Sequence, residues 1–188
     1  LFLTLYTQLG GPPIIEEGNK RKWEWLGHGM TNSVAMLDYK PEEERSIIHR
    51  VKEIITKSTG RAPKGWLGPG LGETADTPDH LAAEGFEYVC DWGNDEQPTP
   101  MRVKSGRMIV VPYELGVNDI RVFIRENHTP EQYFRMVCDH FDTLYKDSES
   151  GGRGMMDTAR LLTVRPLGGG SPGAYFSSSA LSGICWGS

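Results

Sequence analysis

Residues 41–72, PEEERSIIHRVKEIITKSTGRAPKGWLGPGLG, decide the fold class. Pro41 suits a first helical position, Glu42, Glu43 and Glu44 favour the positive N-terminal end of a helix, and Gly60 can stop it. Ile47, Ile48, Val51, Ile54 and Ile55 share one face at helical spacing, so the helix predicted over 41–60 must pack on something. A short extended stretch, 62–67, follows at once and runs into a Gly/Pro-rich loop. The same grammar recurs. Thr77-Pro78 opens a short helix ending at Gly85, and Thr129-Pro130-Glu131 opens a longer one to about Lys146, with Tyr133, Phe134, Val137, Phe141 and Leu144 expected inward. Further strands are predicted at 23–27, 86–91, 107–113 and 160–164. Alternating strands and helices imply parallel strands joined by helical crossovers, an α/β sheet or a (β/α) barrel.

The chain of 188 residues suits one domain. Charged residues are 24% and hydrophobic residues 38%, and no apolar run nears the roughly 20 residues of a membrane span, so a membrane partner is not expected. A net charge of -5 leaves no basic face for phosphates, which argues against nucleic acid. Cys90, Cys138 and Cys185 form neither a disulfide framework nor a zinc motif; free thiols and a reducing, cytoplasmic compartment are expected. Residues 1–9 lack an initiator Met and a signal-peptide pattern, so 1–13 is read as a leader that does not carry the natural beginning. The 23 glycines and 12 prolines gather at 60–72, 93–100 and 168–173. The first two runs follow predicted strands, where the loops of (β/α) barrels build active sites.

Four strand ends carry polar groups. His28 stands between Gly27 and Gly29, open to a ligand or metal, or else capping a turn. His49 and His80 read as solvated surface, His128 as a loop residue and His140 as structural. Arg61 offers a planar donor for a carboxylate, and Trp66 a face for stacking a sugar or ureide; alternatively Arg61 closes the preceding helix and Trp66 fills the core. Asp91, Asp95 and Glu96 place three carboxylates within six residues beside Trp92, where they can orient an arginine, separate their pKa values or bind a cation. The stretch 112–120 brings Glu114, Asn118 and Asp119. Their convergence describes a hydrolytic site at one rim of a barrel. No P-loop, dinucleotide fingerprint, serine nucleophile elbow or HExxH occurs.

GHGMTNS at 27–33, RAPKGWLGPG at 61–70, CDWGNDEQP at 90–98 and VPYELGVND at 111–119 together resemble the polysaccharide deacetylase (NodB-homology) superfamily, in the branch near metal-independent allantoinases and peptidoglycan-deacetylase-like proteins. The resemblance implies a distorted, incomplete (β/α) barrel over 14–166 that hydrolyses amide-type C–N bonds in a small carbohydrate or ureide. By similarity Arg61 would orient a catalytic carboxylate, Asp91 and Asp95 would hold that arginine and the substrate, and Trp66 and Trp92 would line the pocket, with Glu96, Asn118 and Asp119 as further substrate-binding residues. The family's metal is held by an early Asp and an HxxxH pair. Here His28 matches the first His, but Asn32 stands at the second, so either no cofactor or a weakly held divalent ion such as zinc is expected. No acid precedes Glu16, so the early strand bearing the catalytic Asp is read as absent, and the open sheet edge would favour pairing into a homo-oligomer.

Where the family carries a late His-Pro general acid, this chain has Arg165-Pro166, and a permanently charged arginine cannot serve. Residues 167–188 read as a non-native, frame-shifted or disordered tail, because the back-translated sequence one base over can encode a family-like continuation. The function expected is deacetylation of an N-acetylated carbohydrate. The alternatives are a catalytically inactive barrel fragment that binds carbohydrate, and an allantoinase-like ureide hydrolase.

Overall fold

A computed structural model describes residues 2–3 and 12–149. The elements run β1 (Phe2–Leu3), α1 (Pro12–Lys20), β2 (Leu26–Gly27), α2 (Pro41–Thr59), β3 (Gly65–Trp66), α3 (Thr77–Ala83), β4 (Tyr88–Val89), β5 (Thr99–Val103), β6 (Gly106–Val110), a π-helical turn (Ile120–Arg125) and α4 (Pro130–Glu149). The strand expected at 160–164, Cys185, the Arg165-Pro166 pair and the tail from 167 lie outside the described residues.

α2 forms for the reasons its sequence gives. Pro41 sits in its first turn with the three glutamates behind it, and Gly60 ends it in the left-handed conformation at φ 77°, donating to the Thr56 carbonyl at 2.9 Å. Ile48, Val51 and Ile55 are buried, and Ile47 and Ile54 pack at the margin of the same core. Opposite them lie Trp66, Phe86, Val89, Met108 and Val110. Trp66 meets Phe86 edge to face at 5.6 Å.

Among the described residues the strands form one open sheet in the order β1-β2-β3-β4-β6-β5. Every neighbour pair is parallel except the β5–β6 hairpin. Leu26 and Gly27 face Phe2 and Leu3, Gly27 faces Trp66, Trp66 faces Val89, and Val89 faces Val110. The α/β class expected from the alternation is therefore observed, as a parallel-dominated sheet that, among the described residues, does not close into a ring. Parallel pairing sends the C-terminal ends of β2, β3, β4 and β6 to the same edge of the sheet.

Several expectations change. β5 occupies part of a stretch read as loop, and α1 was not predicted. A short strand does precede β2, at Phe2–Leu3, and it bears no carboxylate. On α4, Tyr133, Val137 and Leu144 are buried as expected, but Phe134 and Phe141 are 57% and 41% exposed. Tyr133 and Val137 close instead on the π-helical turn, forming a second apolar cluster with Val117 and Val122.

Candidate functional site

The residues just beyond the parallel strands meet around Asp91. β4 ends one residue before Cys90, and the Asp91 carboxylate reaches back to the loop after β3, where the Gly68 N–H donates to Oδ1 at 2.7 Å and to Oδ2 at 2.9 Å. The missing side chain at Gly68 permits this close approach. A Cβ there would lie 2.6 Å from Asp91 Oδ2 and 3.2 Å from the Trp66 indole nitrogen. That nitrogen belongs to a fully buried ring and has no hydrogen-bond partner.

The residue that completes the arrangement is Glu73, which the sequence reading did not single out. It follows the turn Pro69–Leu71, and its Oε2 accepts from the Trp92 indole N–H at 2.6 Å. Its Oε1 is buried without a partner. Glu73 and Asp91 lie within hydrogen-bonding reach of each other, two carboxyl groups side by side in a largely desolvated place. Burial, the hydrogen bond to Asp91 and the neighbouring negative charge push the Glu73 carboxyl up to about 9. Burial also raises Asp91, opposed by Glu73, the Gly68 N–H and nearby His28. One proton shared between the two groups removes the repulsion of two adjacent anions.

The loop carrying Glu73 is tied down from beneath. Glu44 on α2 is 1% exposed; its carboxylate accepts from Thr74 Oγ1 at 2.8 Å and from Thr77 Oγ1. Thr77 opens α3, so one buried acid joins α2, the Glu73 loop and α3.

The other predicted site residues fall into distinct places. Arg61 is exposed and donates to the Trp23 carbonyl at 3.2 Å; no described hydrogen bond or ion pair joins it to Asp91 or Asp95. Trp66 lies in the core, so its face is not presented for stacking, whereas Trp92 is 41% exposed beside Glu73. Asp95 accepts from the Gln97 N–H at 3.3 Å and, with Glu96, lines an open cleft of about 420 Å³ shared with Asn94, Tyr113, Glu114 and His140. Asn118 accepts from Ile120 and Arg121 and donates to Tyr113, and Asp119 accepts from the Ile120 N–H, so both shape the start of the π-helical turn. The signal that could have found Glu73 is its isolation: no other carboxylate stands between Glu53 and Asp76.

A zinc ion does not fit the residues present. His28 directs Nδ1 to the Leu67 carbonyl and Nε2 to the Asn32 side-chain oxygen at 2.7 Å, so both ring nitrogens are engaged. Asn32 adds only a neutral amide, and among the described residues no group of three His, Cys, Asp or Glu side chains is placed to hold a metal.

No family model matches the chain, and no curated protein matches it. Solved structures do. The chain is similar to Puue allantoinase, with 25% identity and a TM-score of 0.69 over 78% of this chain and 50% of that one. It is also similar to a "probable Polysaccharide deacetylase" from Pseudomonas aeruginosa PAO1, with 25% identity and a TM-score of 0.64 over 78% and 51%. The chain thus spans about half the length of these relatives. The superfamily is that of the polysaccharide deacetylases (NodB homology), as the four motifs imply, and the sheet of the described residues is consistent with its (β/α) barrel in distorted or incomplete form.

Proposed function

We propose that this chain carries the core of a C–N hydrolase that removes the acetyl group from an N-acetylated carbohydrate. One observation carries the reading: Asp91, held by the Gly68 N–H beside Glu73, stands at the C-terminal edge of the parallel strands next to the exposed Trp92. A carboxylate in that position can take a proton from water as the water oxygen bonds to the amide carbon. The same group returns the proton to nitrogen as the C–N bond breaks, so amide and water become carboxylic acid and amine. Trp92 offers a face for a sugar ring, and the loop that follows it carries Asp95 and Glu96 into an open cleft that has room for polar units.

The likeness to an allantoinase favours a second reading with the same chemistry, ring-opening of a cyclic ureide. The test is to incubate the purified chain separately with N-acetylated chitooligosaccharides and with allantoin, measuring acetate and opened ureide. Acetate release that falls by at least about 100-fold in Asp91→Asn supports the deacetylase reading. Allantoin opening without acetate release supports the ureide reading. Binding of chitooligosaccharide with neither product overturns both and leaves the inactive barrel.

A further inference from the structure

We propose that Glu73 is the positioning residue of this site: as a neutral carboxylic acid it donates its hydroxyl to Asp91, taking the place that the resemblance gives to Arg61. The inference rests on the hydrolase reading of Asp91 and adds a role for a residue outside the four motifs.

Three observations carry it, two of them geometric: the placement of the two Glu73 oxygens and the direction of Arg61. Two carboxyl groups within hydrogen-bonding reach need a proton between them, since an ionised carboxylate only accepts. Glu73 Oε2 already accepts from Trp92, while Oε1 is buried without a donor; a proton on Oε1 converts that orphan acceptor into the donor that Asp91 needs. Finally, Arg61 is turned to the Trp23 carbonyl, so no described hydrogen bond or ion pair brings its charge to Asp91. The groups facing the pair reinforce the choice. Glu44 from α2 adds negative charge beside Glu73, and His28 from the loop after β2 lies on the Asp91 side. The proton therefore belongs on Glu73, and Asp91 is left as the anion that can act as base. Glu73 keeps its proton throughout the reaction; it fixes the angle of the Asp91 carboxylate, with Gly68 holding the other side.

Three proteins, wild type, Glu73→Gln and Glu73→Ala, decide the matter when assayed from pH 6 to 10 on whichever substrate the wild type turns over. Gln still donates an N–H to Asp91 but does not titrate. The Ala variant should lose about 100-fold in kcat with KM little changed, and the Gln variant should recover most of that loss. Wild-type activity should fall as the pH passes about 9, and the Gln variant should lack that fall. Wild-type kcat in the Ala variant, or an alkaline limb unchanged in the Gln variant, overturns the proposal while leaving the hydrolase reading intact. A wild type inactive on every substrate sinks the hydrolase reading instead. Independently of turnover, carbon-13 NMR should show the Glu73 carboxyl titrating far above the ordinary glutamate range, and a midpoint near 4.5 overturns the assignment.

Discussion

At the scale of single residues, Gly68 shows how the site depends on a missing side chain. Its N–H serves both oxygens of Asp91 because backbone and carboxylate approach without an intervening Cβ. In Gly68→Ala the new methyl would stand 2.6 Å from Asp91 Oδ2, so the carboxylate must swing away. Activity on the responsive substrate should fall by about 100-fold, measured as kcat, while the melting temperature moves little because the core around Trp66 is kept. Much of this was legible beforehand. Asp91 and Trp92 stand out as an acidic, aromatic strand end, and His28 stands out between glycines. Two things were not. The direction of Arg61 is set by the Trp23 carbonyl, 38 residues away in sequence, and no local pattern encodes it. Glu73 is one acid in a glycine-rich loop, and only its burial beneath Trp92 gives it meaning.

At the scale of elements, capping grammar and apolar spacing were the reliable signals. α2 begins at Pro41 and ends at Thr59, where both had placed it. α1 escaped because Pro12, Pro13 and Gly18 count against a helix, yet prolines are tolerated in a first turn, where their missing N–H groups would have had no partner. β5 escaped for a related reason: Pro100 suggests loop, but among the described residues β5 is the last strand in the sheet order and pairs only with β6, so one side needs no donor. Phe134 and Phe141 were assigned inward from spacing alone, whereas α4 spends its buried face on the π-helical turn. Glu44 is the instructive case among the helices. It looked like one of three acids favouring a helix N-terminus, and burial makes it the tie between α2, the Glu73 loop and α3. Glu44→Ala leaves the Thr74 and Thr77 hydroxyls without their acceptor and should cost about 1–3 kcal/mol, read as a lower urea midpoint at unchanged slope.

For the whole molecule, the raised acids set the sign of its pH response. The Glu73 carboxyl moves from an ordinary 4.5 to about 9 on folding, so between these values the folded chain holds a proton that the unfolded chain has released. This contribution to stability is complete below about pH 4.5 and is lost progressively as the pH rises towards about 9. Asp91, raised by burial, acts in the same direction. The urea midpoint should therefore be lower at about pH 8.5 than at about pH 5, and Glu73→Gln should flatten the difference. An equal slope in both proteins would show that Glu73 does not hold its proton. Glu84, which His49 and Arg45 hold below the usual carboxylate range, contributes stability that is complete above about pH 4.5, so it leaves this comparison unchanged and acts only at lower pH.

Trp92 gives the protein an optical gauge of its own chemistry. Its indole is 41% exposed, yet its N–H is bonded to Glu73. Emission from such a ring responds to the ionisation of the carboxyl group it touches and to anything that covers its face. Comparing the wild type with Trp92→Phe would isolate that signal from the other tryptophans, so that one spectrum follows both the proton on Glu73 and the arrival of a ligand.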